Sequence, residues 1–176
     1  MKPCWLLPLL LAPTLVSAQT PAPVAPPSSP TGCDSPESHQ FDFWVGRWEV
    51  FPATKPDTKV ADSLVEKLYS GCAVREDWMP LQAGGAGGSL NAWNAAEGKW
   101  RQTWLDSSGA FADFKGGWNG TAMVIEGVWP QPGKPTQMTR MTYTPHSDGS
   151  VEQAGVTSDD NGATWQPSFD LIYRHP

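Results

Sequence analysis

The sequence predicts an all-β protein, a single antiparallel up-and-down β-barrel of about ten strands. Three observations carry this prediction. From Phe43 onward the chain runs in short stretches rich in Trp, Val, Tyr, Thr and Met, residues that suit a pleated, half-buried surface. No segment keeps an i, i+3, i+4 apolar stripe for three turns, which argues against helices. Each stretch closes in a turn that joins Gly to Pro or to a residue tolerant of positive φ: AAEGK from Ala95, DSSGA from Asp106, WNGT from Trp118, PQPGKP from Pro130, HSDGS from His146 and DDNGA from Asp159. Such turns make tight hairpins.

The N-terminal segment is of another kind. MKPCWLLPLLLAPTLVSAQ has one Lys, an apolar run from Trp5 to Val16 and the small-residue ending Val16-Ser17-Ala18. That layout is a secretory signal peptide over residues 1–18, with an apolar run too short to span a membrane. Residues 19–36, rich in Pro, Ala and Ser, read as a semi-extended linker. Residues 37–176 suit one barrel domain of about 140 residues.

The expected strands are 45–51, 60–69, 72–78, 89–94, 99–105, 111–118, 121–129, 136–144, 150–157 and 164–174. Turns recur about every 12 residues, so sequence neighbours pair and the chain meanders. A meander of this length leaves two open edges unless the sheet curls shut. SPESHQFDFW, Ser35 to Trp44, is expected to form a helical turn plugging one end.

Cleavage would remove Cys4 and leave Cys33 and Cys72 as an even pair in an exported chain. A Cys33–Cys72 disulfide is the expectation, with two free thiols as the competing reading. The formal net charge is −6 and no Lys/Arg cluster occurs, which excludes a nucleic-acid surface and an anionic membrane as partners. No H-x-H, C-x-x-C or H-E-x-x-H spacing occurs, so no metal is expected. No G-x-S-x-G elbow occurs either, and His39, His146 and His175 all fall outside the expected strands, so no catalytic residue or cofactor is assigned.

SDDNGATWQ, Ser158 to Gln166, resembles the Asp-box of sialidases. A sialidase propeller needs several four-stranded blades and an arginine cluster for its carboxylate substrate. This chain has neither. The motif therefore reads as a hairpin device in which Asp160 accepts turn N–H groups, Gly162 supplies a left-handed residue and Trp165 packs beneath the loop.

Gly46-x-Trp48 at the first strand and Arg174 at the end of the last resemble the closed-end pair of lipocalins and their calycin relatives. The resemblance implies a cation–π contact of Arg174 across Trp48. FDFWVGRWEV, VREDW, GGSLNAWN, WRQTWLDSSG, YTPHSDGSVEQ and SDDNGATWQPSFDLIYR also resemble a family of exported bacterial domains of unknown function with a calycin-like barrel. That resemblance implies the fold and export to periplasm or medium, and no activity. Haem-binding nitrobindins are ten-stranded relatives of this fold, but their iron-holding late-strand His has no counterpart in TWQPSFDLIYR.

Period-two alternation nominates an inner face. Trp100, Gln102 and Trp104 share one side of their strand, as do Glu76 and Trp78, Val151 and Gln153, and Met138, Arg140 and Thr142. If all point inward, Glu76, Gln102, Arg140 and Gln153 are polar handles among Trp78, Trp100 and Trp104, as in a ligand-holding calyx. In the competing arrangement the Trp residues only fill the core while Arg140 and Glu76 face solvent. The leading functional expectation is a periplasmic or secreted barrel that binds a small, partly apolar molecule. One alternative is a packed-barrel interaction module of the cell envelope using Trp93, Trp118 and Trp129. The other is a calyx enzyme with Glu76 or Asp113 as base and Arg140 as stabiliser. Oligomeric state is left open by the sequence.

Overall fold

The computed structural model describes Met1 and residues 33–130 and 137–176. The rest of the expected signal peptide, the linker up to residue 32 and most of the PQPGKP turn lie outside these. Ten strands follow one another: β1 Gly46–Pro52, β2 Ala61–Leu68, β3 Ala73–Pro80, β4 Gly87–Asn94, β5 Lys99–Asp106, β6 Phe111–Trp118, β7 Met123–Trp129, β8 Gln137–Pro145, β9 Val151–Ser158 and β10 Gln166–Arg174. Each lies within about two residues of its expected ends, the margin at which strand limits blur.

Every strand pairs antiparallel with its sequence neighbours, and β10 returns to β1 to close the ring. Closure sets Glu49 opposite Arg174, Val50 opposite Tyr173, Phe51 opposite Ile172 and Pro52 opposite Leu171. It leaves no free sheet edge to template aggregation. Burial alternates along the strands as a single-walled barrel requires: Trp48 and Val50 on β1, Ala61, Ser63 and Val65 on β2, and Ala112 and Phe114 on β6 are buried.

One end of the barrel is plugged. Pro36–His39 and Asp42–Trp44 form two 3-10 turns before β1. Ser35 caps the first by accepting from the Ser38 amide, and Ser38 Oγ donates to the carbonyls of Cys33 at 2.8 Å and Ser35 at 2.6 Å. Phe41 and Trp44 enter the barrel, both almost fully buried. Phe41 lies 5.0 Å from Tyr143 and 5.5 Å from Trp100, ring centre to ring centre, each edge to face, the geometry aromatic pairs favour. Trp100 donates its indole N–H to the Glu37 carbonyl at 3.1 Å, and Trp48 donates to Trp44 O at 2.9 Å. The Cys33–Cys72 disulfide, with its Cα atoms 4.9 Å apart, fastens the start of the plug to the β2–β3 connection.

The expected Arg174–Trp48 contact is corrected by one residue. Strand alternation puts Arg174 on the outer wall with its partner Glu49, so its guanidinium covers the outward ring of Phe51 at 5.0 Å and donates to Pro56 O at 3.0 Å. Trp48 points inward. His175, just past the strand end, stacks on it with ring centres 4.1 Å apart.

The Asp-box motif is a hairpin between β9 and β10. Asp160 accepts from the Thr164 amide at 2.8 Å, the Thr164 hydroxyl at 2.6 Å and the Ser158 hydroxyl at 2.7 Å. These bonds, that of the Thr164 side chain foremost, hold its carboxyl at about 2. Gly162 takes φ +87°, a left-handed value that a side chain strains. Trp165 donates back to Gly162 O at 3.1 Å.

Loss of the disulfide in a Cys33→Ser, Cys72→Ser double variant is expected to lower unfolding free energy by about 2–4 kcal/mol. Urea unfolding of the two proteins measures it, and an unchanged midpoint would show that the plug holds without the bridge.

Candidate functional site

At the end opposite the plug the barrel is hollow. A cavity of about 150 Å³ is lined by Glu76 and Trp78 of β3, Gln102 and Trp104 of β5, Trp129 of β7, Met141 and Tyr143 of β8, Gln153 of β9, and Phe169, Leu171 and Tyr173 of β10. A pocket of that size accepts a molecule of about six non-hydrogen atoms, the scale of benzene. Its mouth is ringed by half-buried aromatics: Trp78, Trp104, Trp129 and Phe169. Trp104 is fixed at the rim by a 3.1 Å hydrogen bond from its indole N–H to Asp106.

Small residues make room for these rings. Gly155 faces inward under Phe169, and a Cβ there would meet the ring at 2.2 Å. Along the same β9–β10 ladder the register shifts between Pro167 and Phe169. A bulge of this kind re-aims the side chains that follow it.

Below the aromatic rim runs a buried polar chain. Asn91 donates to Val74 O and Ser89 Oγ at 3.0 Å and accepts from Gln102 Nε2 at 2.7 Å. Gln102 and Gln153 both donate to Tyr143 Oη, at 3.2 and 2.9 Å. Tyr173 Oη lies 2.7 Å from Gln153 Oε1 and 3.2 Å from Glu76 Oε1, and Ser63 donates to the same Glu76 oxygen at 3.0 Å. A phenol has one hydrogen, so Tyr173 serves one acceptor at a time, and Gln153 is the nearer. A carboxyl that keeps its own proton satisfies the remaining contact.

The electrostatics agree with that proton count. Burial pushes the Glu76 carboxyl from its ordinary 4.5 up to about 7, against the opposing pull of hydrogen bonds from Ser63, Tyr173 and Ser89. Desolvation disfavours the charged form. Tyr143 and Tyr173 are held above the ordinary phenol range, first by burial and then by the Glu76 charge, so both are neutral at physiological pH.

The structure brings together five of the seven expected ligand-contacting residues, Glu76, Trp78, Gln102, Trp104 and Gln153. Trp100 shares their face but lies one step deeper, where it belongs to the plug. Arg140 is on the outside: on β8 the inward parity is Thr139, Met141 and Tyr143, all buried. Its guanidinium pairs with Glu126 and lies 4.0 Å over the Trp165 ring. A cation is cheaper there than in the core. Asp113 is also exposed on the outer wall, bonded to Thr103, so of the residues named for a calyx enzyme only Glu76 lies in the chamber. Nor do Trp93, Trp118 and Trp129 form an outer patch; all three pack against the core, Trp118 on Phe43 of the plug segment and Trp129 on Trp104. The large apolar side chains that the outer wall does expose include Leu90, Leu105, Phe111 and Val128.

Sequence reasoning missed Trp129, Met141, Tyr143, Phe169, Leu171 and Tyr173. The rows Phe169-x-Leu171-x-Tyr173 and Met141-x-Tyr143 are legible alternations, and weighing aromatic rings above a single Arg would have chosen the right parity on β8. Among the described residues no group of three His, Cys, Asp or Glu side chains could hold a metal ion. No family model matches the chain, and no curated protein is significantly similar to it.

Glu76→Gln tests the buried acid. The folded state keeps a proton that the unfolded chain releases above about 4.5, so stability is full below that pH and falls as pH rises to about 7. The variant is expected to match the wild type near pH 5 and to be more stable at pH 8, by up to about 3 kcal/mol. Thermal melts at the two pH values decide it; a wild-type curve insensitive to pH would place Glu76 in contact with water.

Proposed function

We propose that this chain is a binding protein whose barrel holds a small, partly apolar molecule. The observation that carries the reading is the cavity itself: an aromatic-walled chamber open at one end and floored by a connected row of hydrogen-bonding groups. Ligand sites combine apolar surface with a few fixed polar groups in this way. A barrel filled by its own side chains would have no such space. We further propose kinship with the exported calycin-like barrels and action outside the cytoplasm, in periplasm or medium. The Cys33–Cys72 disulfide supports this, because such bonds persist in oxidising compartments. Among the described residues no helix is long and apolar enough to cross a membrane.

The plug and the rim divide the labour. Phe41, Trp44 and Trp100 close one end, so a ligand enters past Trp78, Trp104 and Trp129. Its apolar part stacks on their rings, and its polar group meets the Glu76, Gln102, Tyr143 and Gln153 layer.

Leu171→Trp places a large ring in the chamber. Native mass spectrometry of the full chain purified from its own source is expected to show an added mass that the wild type carries and this variant loses. Titration of the wild type with benzene-sized aromatics is expected to quench Trp emission, at least tenfold more weakly in the variant. Equal response of the two proteins would place binding elsewhere.

A further inference from the structure

The chamber has one ionisable carboxyl and, among the described residues, no Lys, Arg or His in its lining. From this asymmetry we infer that its ligand is a small organic cation carrying a methylated ammonium group, seated against Glu76 and enclosed by Trp78, Trp104, Trp129 and Phe169. This inference rests on the binding reading above and names the chemistry of its ligand.

Four features lead to it. First, the walls are aromatic on several sides: Trp104 and Trp129 stand 6.3 Å apart, centre to centre, and Trp78 and Tyr173 6.4 Å. Ring faces carry negative potential, and Trp is the strongest partner for a cation. Second, a neutral ligand would need no acid here, since an amide at position 76 would supply the same hydrogen bonds at no charge cost. A buried carboxyl is costly to ionise unless something positive joins it. Third, a bare ammonium needs three acceptors. Gln102 and Gln153 spend their amide N–H groups on Asn91 and Tyr143, and Gln153 also gives its oxygen to Tyr173, which leaves the Gln102 oxygen and Glu76, too few. A methylated ammonium needs none, only rings and a counter-charge. Fourth, an anion is excluded, because it would face Glu76 without a basic partner.

Binding then moves a proton. Below about pH 7 Glu76 keeps its hydrogen in the empty chamber; a cation beside it favours the carboxylate, the proton leaves to solvent, and Tyr173 is free to turn its hydroxyl from Gln153 to Glu76. The groups facing Glu76 are Ser63 from β2, Ser89 from β4 and Tyr173 from β10, with Gln153 and Tyr143 beyond Tyr173. Asp77, next along β3 and exposed, adds a like charge that also raises Glu76. None of these groups is basic, so among the described residues nothing facing Glu76 substitutes for the ligand's charge.

The test compares two probes of one shape, choline and its uncharged carbon isostere dimethylbutanol. Both are titrated into the full chain at pH 6 and pH 8 by calorimetry and Trp emission. Choline is expected to bind about tenfold tighter than the isostere at pH 8 and about tenfold weaker at pH 6 than at pH 8, with a proton released on binding at pH 6. The isostere is expected to show no such pH dependence. Glu76→Gln is expected to reduce choline to the isostere's affinity and to abolish its pH dependence. Should this variant fail to fold, the wild-type pH comparison decides alone. An isostere that binds as well as choline at pH 8 would overturn the cationic ligand and leave the apolar chamber standing. If neither probe binds and benzene-sized aromatics do, the cation is again overturned. If all are inert, the binding reading falls with it.

Discussion

Closure of the sheet on itself is the constraint from which the rest of this structure follows. Because β1 meets β10 through only four residue pairs, the first and last strands must arrive in register for a ring to exist at all. Once they do, period-two alternation leaves little freedom: apart from the register shift on β10, every second side chain along the strands points to one interior. The seam is reinforced where it is thinnest. His175 stacks on Trp48 across it, Arg174 covers Phe51 beside it, and Ala53 donates its amide to Asp170 O at 3.0 Å beyond the last pair.

The interior is layered along the barrel axis. At the plugged end Phe41, Trp44, Trp100 and Met123 make a dry aromatic core, and the disulfide anchors the segment that supplies two of these rings. In the middle lie Glu76, Asn91, Gln102, Gln153 and the two tyrosine hydroxyls. At the open end the Trp rings part around the chamber. Polar groups at such depth are costly unless mutually satisfied, and here nearly every donor has a partner within the layer. Glu76 is the exception that stays expensive at neutral pH. A folded chain that keeps such a group in this cavity, rather than an amide of equal size, concentrates its instability where a ligand could relieve it.

The Asp-box hairpin belongs to the open rim by topology, since β9 runs from the plugged end to the mouth. Its internal bonds make it rigid, and Arg140 lying on Trp165 ties it to the outer wall of β8. The motif therefore acts as a fastening at the mouth, and its resemblance to sialidase repeats is one of turn chemistry.

The fold was legible because turn residues and alternation are local properties: Gly-containing hairpins every dozen residues leave few topologies besides a meander, and a long meander closes. The Cys33–Cys72 pairing and the Asp160–Gly162–Trp165 hairpin were legible for similar reasons, one by elimination and one by a compact motif. Five lining residues were found on strands whose parity is clear, Trp100-x-Gln102-x-Trp104 among them. Arg140 was misplaced because β8 carries polar and apolar residues on both faces, and only the neighbouring strands reveal which face turns inward. By itself the sequence determined strand order, closure and the residue types available to the interior, since these depend on spacing along the chain. The tertiary structure alone decided that the end opposite the plug is hollow, and that Glu76 stands there without a basic partner among the described residues, because both depend on how ten separately written strands meet in space.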